Sequence, residues 1–437
     1  MLPAILASLL FLFCLALILT ERLNRMITGL LGAVLMVIFG IAFGFYSEEQ
    51  SAAAIDFNTI GLLLGMMVLI ALLEPTGFFE FLAVWMGRFS RGRPVLLLFL
   101  MGLLTSVVSM FLDNVTTVVL IAPITLVICE ILGLSPQPFL ISEAILSNTG
   151  GVATMVGDPP NVLIASAAGL SFVDFLTHSL PIIVLVWVVA FGLLRWLFRA
   201  QLPACAPNEG AIFLLDPKEA LTDRKTTLRV LVVIAGAVLF FILEEQLHIR
   251  PALVALAASA VALAWIQPPV QETLKRIQWD VLIFFAALFV MIGGLEASGA
   301  LAVVSLAITQ MQSLPIALLG VIILWVVALL SAIVDNIPIT LALIPIIQNL
   351  EQAGLPAAPL WWALVFGAGL GGNGTIIGST ANVVVASLSE KTHSPITSKL
   401  WNQKGLPVMF ATCLAATLLY LLAFSLFSGE TAALSMR

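Results

Sequence analysis

The chain has 437 residues, of which 61% are hydrophobic and only 10% are charged, and its formal net charge is −6. Soluble globular domains carry about 25% charged residues, so this composition excludes an ordinary soluble enzyme or binding domain. The four cysteines, Cys14, Cys129, Cys205 and Cys413, lie far apart and indicate neither a disulfide framework nor a zinc site.

Apolar stretches approach or reach the roughly 20 residues that a helix needs to cross a bilayer. In chain order they are residues 4–19, 27–41, 60–73, 182–194, 230–243, 252–266, 281–295 and 410–427. They do not alternate with a period of two, so they predict helices rather than the strands of a barrel. The first is interpreted as a retained span, because no basic residue precedes it. The sequence therefore predicts an all-α integral membrane protein with about 10 spanning helices.

Basic residues are concentrated in alternate loops, at positions 22–25, 88–93, 195–229, 275–276 and 391–404. If these loops share one face, they hold all but two of the 18 Lys and Arg residues. The positive-inside rule then makes this face cytoplasmic and places the N-terminus outside, with a bacterial inner membrane as the expected location.

A short motif recurs in the two halves of the chain. The sequence FLDNV at 111–115 returns as IVDNI at 333–337, so that Asp335 follows Asp113 by 222 residues. The same offset, or one residue less, relates Glu74 to Glu296, Gly77 to Gly299, Pro123 to Pro345, Thr154 to Thr375, Gly157 to Gly378 and Asn161 to Asn382. This register predicts two repeats, 1–198 and 228–437, joined by a polar cytoplasmic linker at 199–227. An odd number of crossings in each repeat would give them inverted topology.

Two stretches at matching positions, 147–161 and 369–382, are too rich in glycine and proline to be ordinary spanning helix. Glycine and proline at this density open a helix and leave backbone N–H and C=O groups without partners. Such backbone survives in a bilayer only where it is buried in protein or lines a polar cavity. Each repeat is therefore predicted to contain one broken helix.

The Asp-Asn pairs lie between apolar runs that are too short for two full spans with a loop. They predict two re-entrant hairpins with tips at 113–117 and 335–340, entering from opposite faces. Helix ends and hairpin tips would then meet near the midplane and bind one small polar solute. The predicted solute-binding residues are Asn114, Thr116, Thr117, Thr149, Gly150, Gly151, Thr154, Asn161, Asn336, Thr340, Gly372, Asn373, Thr375 and Asn382.

Asp113 and Asp335 would each cost roughly 2.5–3.5 kcal/mol to insert at mid-membrane, which favours a functional role over a structural one. They are predicted to couple transport to a proton or ion, together with Asp158, for which a turn-capping role is the alternative. Glu143, beside a short loop, is expected at the membrane interface with no role. No metal site and no catalytic residue are predicted.

The motifs at 111–117, 150–161 and 371–378 resemble those of the ion-transporter superfamily, in particular its arsenite permease and melanosomal P-protein branch. The resemblance covers nearly the whole chain. It implies a scaffold domain and a transport domain that holds two opposed hairpins and two broken helices. It also implies elevator-like movement and, commonly, a homodimer.

Sodium-coupled dicarboxylate carriers of this superfamily have Ser-Asn-Thr where this chain has Asp113-Asn114-Val115 and its repeat. Two carboxylates, with no Lys or Arg expected in the apolar core, would repel a di- or tricarboxylate. The leading hypothesis is therefore proton-coupled efflux of a small inorganic solute, with arsenite or antimonite as the best candidate.

Other functions stay open at this stage. Sodium–proton antiport would use the same aspartates, and an intramembrane aspartyl protease would place two aspartates on adjacent helices. A proton or sodium gradient is expected in place of a cofactor, and no nucleic-acid partner is expected. No Walker motif is present, so ATP drive would require a separate ATPase subunit.

Overall fold

A computed structural model of the chain describes residues 2–19, 23–300 and 314–429, and within these ranges all regular structure is helical. Seven of the described helices are long and apolar enough to cross a membrane, and six shorter apolar helices accompany them. These helices confirm the predicted all-α membrane fold.

The first repeat contains Leu2–Leu19, Arg25–Phe43, Glu48–Ala53, Phe57–Leu73, Phe78–Phe89, Pro94–Ser109, Asn114–Leu132, Gln137–Gly151, Pro159–Ala168 and Leu180–Leu197, the last preceded by a π-helical turn at Phe175–Ser179. The second contains Arg224–Ile242, Glu244–Leu247, Pro251–Ile266, Val270–Arg276, Trp279–Ala297, Ile316–Ser331, Asn336–Gln352, Ala358–Gly371, Thr380–Ser389, Ser398–Leu422 and Phe424–Gly429. Five described helices of the first repeat have counterparts that begin 222 residues later: Leu2–Leu19, Glu48–Ala53, Phe57–Leu73, Pro94–Ser109 and Asn114–Leu132.

The linker ends earlier than the sequence predicted. Helix Arg224–Ile242 begins inside the range 199–227, because the Asp223 side chain accepts hydrogen bonds from the N–H groups of Lys225 and Thr226. The preceding residues fold into two short helices, Glu209–Leu214 and Pro217–Ala220, rather than an open polar loop.

Loops that the charge pattern assigned to one face contact one another. Arg276 forms an ion pair with Glu74 at 3.1 Å, and the Lys404 ammonium donates to the Leu197 carbonyl at 2.8 Å. On the opposite face, the Phe172 N–H donates to the Glu244 carboxylate at 2.7 Å. The two sets of loops therefore define a basic face and an acidic face of the helical body.

The helices pack in two groups. In the first, Phe57–Leu73 packs against Pro251–Ile266, and Arg25–Phe43 packs against Trp279–Ala297. The second group contains the two hairpins and the two broken helices. Hairpin 1 is Pro94–Ser109 with Asn114–Leu132, and broken helix 1 is Gln137–Gly151 with Pro159–Ala168. Hairpin 2 is Ile316–Ser331 with Asn336–Gln352, and broken helix 2 is Ala358–Gly371 with Thr380–Ser389.

Each hairpin lies in backbone contact with the broken helix of its own repeat. A Cβ atom on Gly150 would lie 2.5 Å from the Ser106 carbonyl oxygen, and one on Gly371 would lie 2.4 Å from the carbonyl oxygen of Ala328. Glycine is therefore required at both positions, which brings the hairpin tips beside the unwound segments.

The opened backbone of the two broken helices is held in the same way in each repeat. The Asn161 amide donates to the carbonyls of Gly151 at 3.0 Å and Thr154 at 2.8 Å. In the second repeat, the Asn382 amide donates to the carbonyls of Gly372 at 2.7 Å and Thr375 at 2.8 Å. These bonds satisfy carbonyl groups that lost their helical partners where the helix opens.

Candidate solute and ion site

Four helix N-termini converge on one small cavity of about 50 Å³. The helices are Asn114–Leu132, Pro159–Ala168, Asn336–Gln352 and Thr380–Ser389, one from each hairpin and one from each broken helix. Each N-terminus carries a partial positive charge of roughly +0.5. The cavity thus joins the two repeats and offers a polar environment inside an apolar body.

Three carboxylates line this cavity, those of Asp113, Asp158 and Asp335. Asp113 accepts hydrogen bonds from the N–H of Thr116 at 2.9 Å and from its hydroxyl at 2.6 Å. Asp158 is buried and accepts from the Asn336 amide at 3.0 Å. The structure therefore brings together all three residues that were predicted to couple transport to an ion.

A guanidinium group also lines the cavity, contrary to the expectation that no Lys or Arg lies in the core. Arg25, the first residue of helix Arg25–Phe43, forms an ion pair with Asp335 at 3.2 Å and donates to the Thr380 hydroxyl at 3.2 Å. The sequence placed Arg25 in a basic loop, and the counterpart position 222 residues later is Leu247. With three ionised carboxylates and one guanidinium, the cavity has a formal excess of two negative charges.

Asn148 lies at the centre of an amide network that connects the two repeats. Its carbonyl oxygen accepts from the Asn114 amide at 2.9 Å and from the Ser379 hydroxyl at 3.0 Å. Its side-chain NH2 group donates to the side-chain carbonyl oxygens of Asn373 and Asn382, both at 3.1 Å. The side chain thus makes four hydrogen bonds, the full number that an asparagine amide offers.

The repeat relation places a contrast at this centre. Asn148 and Asn373 correspond to Gly369 and Val152, and a Cβ atom on Gly369 would lie 2.2 Å from the Val152 side chain. The two repeats are therefore joined by amide hydrogen bonds at Asn148 and Asn373, and by close apolar contact at the corresponding residues Gly369 and Val152. Asn148 was not among the predicted site residues, because this pairing across repeats has no sequence pattern.

The predicted solute-binding residues divide between the cavity and its frame. Asn114 and Asn336 line the cavity. The remaining polar side chains of the predicted set lie outside the cavity lining, where most make internal hydrogen bonds. Of these, Asn161 and Asn382 bind opened backbone and Asn373 joins the amide network, as described above.

Threonines of the predicted set mostly donate to main-chain carbonyls. Thr149 donates to the Ile145 carbonyl at 2.7 Å and Thr340 to that of Asn336 at 2.8 Å. Thr154 donates to the Met110 carbonyl, and its repeat Thr375 donates to the Ala332 carbonyl. The Thr116 hydroxyl donates to Asp113 and accepts from the Gln278 amide, whereas the Thr117 hydroxyl has no hydrogen-bond partner in the described structure. The three glycines of the set, Gly150, Gly151 and Gly372, lie at close backbone contacts.

Larger pockets are present besides this cavity, and two of them bear on its function. One of about 290 Å³, beside Leu23 and Asn24, shares Arg25, Asp335 and Thr380 with the cavity. The Arg25–Asp335 ion pair is therefore common to both walls. The other pocket, of about 440 Å³, opens at the acidic face between Glu244–Leu247 and the loop around Asp174.

Glu244 gives the acidic-face pocket a testable pH dependence. The pKa of the Glu244 carboxyl is raised to about 7, mainly because the group is buried; the Phe172 N–H that donates to it lowers the pKa, and the nearby carboxylates of Glu245 and Asp174 raise it by smaller amounts. His248 and Arg250 line the same pocket. A raised pKa favours the neutral acid in the folded state, so folded-state stability is full at low pH and falls as the pH rises through about 7.

We expect the thermal unfolding midpoint of the detergent-solubilised protein to fall between about pH 5 and about pH 8. Glu244→Gln should remove most of that decrease, because an amide cannot ionise. Glu245→Gln, at the exposed neighbour, is the matched control and should keep it. An unchanged pH profile in Glu244→Gln would contradict the assignment.

A family model described as the citrate transporter matches residues 15–367. The chain belongs to the citrate transporter family. It is a membrane transporter, and the resemblance to the ion-transporter superfamily seen in the motifs is confirmed.

This member of the citrate transporter family is 38% identical, over 96% of its length, to a 46 kDa membrane protein of Mycobacterium leprae, of which it covers 98%. It is 33% identical to the human P protein over 91% of its length and spans 57% of that longer protein. The YdaH transporter of Alcanivorax borkumensis has a similar structure, with a TM-score of 0.60 at 16% identity, covering 97% of this chain and 98% of that one. The last likeness concerns the fold alone.

Proposed function

We propose that the chain exports a small uncharged inorganic solute in exchange for protons, with the trihydroxides of arsenite or antimonite as the best candidates. The observation that carries the proposal is the cavity of about 50 Å³ with three carboxylates and one guanidinium in its walls. A single water needs roughly 10–15 Å³ of such volume, so the cavity accommodates a few waters or one small solute.

The charges in the cavity argue against citrate itself as the solute. A tricarboxylate would meet Asp113, Asp158 and Asp335, and Arg25 alone supplies positive charge from a side chain. Like charges at close range cost free energy that one guanidinium cannot offset. A neutral trihydroxide avoids this cost, because its O–H groups can donate to the carboxylates and its oxygens can accept from Asn114, Asn336 and Arg25.

Proton coupling follows from the buried carboxylates. Asp158 is almost fully buried, and the one hydrogen bond described for its side chain comes from Asn336, a neutral group. An ionised carboxylate in such a place is costly, and binding a proton removes the cost. Protonation of the aspartates from outside would weaken them as acceptors and release the solute there. Proton release to the cytoplasm would then restore the binding form.

The membrane arrangement is part of the proposal. The basic face would be cytoplasmic, in a bacterial inner membrane, and the N-terminus would lie outside. A homodimer is proposed from the family resemblance. A separate ATPase subunit remains compatible with the fold but is not required by a proton-driven mechanism.

Sodium–proton antiport is the second candidate, favoured by the excess of two negative charges at the cavity. The aspartyl protease alternative is disfavoured by family membership and by the Arg25–Asp335 ion pair, since two aspartates that share a proton have no such partner.

The test is transport into everted membrane vesicles with an imposed pH gradient, using arsenite, antimonite and sodium in turn. We expect metalloid uptake driven by the gradient and a loss of at least about tenfold in Asp113→Asn and Asp335→Asn. Asp216→Asn, at an exposed linker position, is the matched control and should transport normally.

Different outcomes separate the candidates. Sodium-driven proton movement without metalloid uptake would reject the metalloid and support the antiporter. Unchanged fluxes in both aspartate variants would reject proton coupling by these residues. Proteolysis of a membrane-spanning peptide would support the protease instead.

A further inference from the structure

Hairpin 1 and broken helix 1 contain a set of buried polar side chains, called the polar cluster below, that the second repeat lacks. Thr125 on helix Asn114–Leu132 donates to Glu143 on helix Gln137–Gly151. Ser142 precedes Glu143 in the chain, Thr117 lies about two helical turns from Thr125, and all four side chains are buried. The counterpart positions hold Ile339, Ile347, Ala363 and Leu364. Because the second repeat forms the same packing with apolar residues, the fold itself does not require these polar groups.

Glu143 is the ionisable member of the cluster, and the structure buries its side chain inside the helical body, while the expected position at the membrane interface stays a prediction. It lies inside helix Gln137–Gly151 with an exposed fraction of 1%, because that helix is surrounded by hairpin 1, Leu180–Leu197 and broken helix 2. One carboxyl oxygen accepts from the Thr125 hydroxyl at 2.5 Å. The other has no hydrogen-bond partner in the described structure, and neither have the hydroxyls of Thr117 and Ser142.

The surroundings of Glu143 offer no balancing charge. Among the described residues, no Lys, Arg or His forms an ion pair with Glu143, and the side-chain hydrogen bond to its carboxyl comes from the neutral Thr125 hydroxyl. An ionised carboxylate without a cation in an apolar interior costs many kcal/mol, which favours the protonated form of the group. Its unpaired oxygen and the two unpaired hydroxyls leave hydrogen-bonding capacity that a structural role does not use.

A line of polar groups leads from Glu143 to the central cavity. Ser147 lies four residues later on the same face of the helix. The Ser147 hydroxyl lies 3.3 Å from the Asn114 carbonyl oxygen and 3.1 Å from the Ser109 hydroxyl, and its single proton can be donated to either. Asn114 in turn lines the cavity next to Asp113. The cluster is therefore within one helical turn of groups that border the site.

We propose that Glu143 is a second proton-binding site of the transporter, outside the solute cavity. It takes up one proton to become the neutral acid and releases the same proton as the carboxylate, with Ser147 and Asn114 on the route to the aspartates. The inference rests on the proposed proton coupling for its role in the cycle. The exchange of a proton at Glu143 can nevertheless be measured without any solute.

The first experiment is infrared difference spectroscopy of the purified protein between acid and alkaline pH. We expect a band from the C=O stretch of a protonated carboxyl, lost on alkalisation, that is absent in Glu143→Gln. Thr125→Val should shift this band while keeping it, because the variant removes the hydroxyl that donates to the carboxylate. Glu130→Gln, at an exposed position of the same hairpin, should leave the band unchanged.

The second experiment measures the proton-to-solute ratio in proteoliposomes, which should fall by one in Glu143→Gln and stay unchanged in Glu130→Gln. A Glu143 band that persists at every pH, or an unaltered ratio, would overturn the proposal. If no solute is transported by the unaltered protein, the proposed function fails, while the infrared band still decides proton exchange at Glu143. If Glu143→Gln does not fold, Thr125→Val carries the spectroscopic test.

Discussion

Replacement of Asn148 by alanine is expected to lower the free energy of unfolding by about 4 kcal/mol, among the largest effects of any single substitution here. The change removes four hydrogen bonds at once and leaves buried groups of Asn114, Asn373, Asn382 and Ser379 without this partner. Each buried polar group left unsatisfied costs about 1–3 kcal/mol, and partial rearrangement of the neighbours reduces the sum.

The effect should extend to transport, because Asn148 fixes broken helix 1 to broken helix 2 beside the cavity. Chemical unfolding in detergent measures the loss of stability, and solute flux measures the loss of function. Asn402→Ala is the matched control, since Asn402 is also helical but exposed, and it should change stability by no more than about 0.5 kcal/mol. Equal stability of the two variants would show that the amide network is not needed.

The parts of the fold that were predictable from the sequence have local physical causes. Several glycines and prolines close together open a helix, so the breaks at 147–161 and 369–382 follow from composition. Single prolines do not have this effect here, since Pro123, Pro345 and Pro407 lie inside continuous helices. Aspartate is costly in a bilayer, so Asp113 and Asp335 indicate a protected polar site. The 222-residue offset then pairs these features and predicts that they meet. Family membership and the helical structure confirm the fold.

The parts that were not predictable depend on contacts between distant residues. Arg25 belongs to a basic loop by sequence, yet its long side chain reaches Asp335, 310 residues away. Asn161 and Asn382 were predicted to bind solute, and in the structure their amides donate to opened backbone. Thr154 and Thr375, from the same prediction, donate to carbonyls at the ends of the hairpin helices, and solute binding by these four residues stays a prediction. Polar side chains near a broken helix can bind a solute or donate to the main chain. The same residue types serve both roles, so the sequence does not distinguish them and the hydrogen-bond geometry does.

Glu143 is another residue whose surroundings could not be predicted from the sequence, and in its case no sequence pattern indicated burial. It lies six residues after the helix start at Gln137, a spacing that is equally compatible with the membrane interface and with the interior. Burial was decided by the surrounding helices, which no local pattern describes. The comparison with Leu364, its counterpart, is what distinguishes an added function from a requirement of the fold.

Arg25→Gln is expected to reduce coupled transport of a neutral solute at least about tenfold while leaving the protein folded. The Arg25–Asp335 pair is partly exposed, 27% and 23%, so its contribution to stability is small, about 0–1 kcal/mol. The pair matters for transport because it lines both the cavity and the 290 Å³ pocket. Without the guanidinium, the cavity carries three uncompensated carboxylates.

The direction of the change in Arg25→Gln separates the two proposed solutes. For a neutral trihydroxide, loss of the Arg25 donor weakens binding, whereas for sodium the added negative charge strengthens it. Arg276→Gln is the matched control, because it breaks an ion pair of similar length with Glu74 on the basic face, 39% and 36% exposed. Solute flux and solute affinity should change in Arg25→Gln and not in Arg276→Gln. Equal values in the two variants would mean that Arg25 acts only as a surface charge. A rise in sodium affinity in Arg25→Gln would make the cation the substrate, since an uncharged solute gains nothing from an additional negative charge.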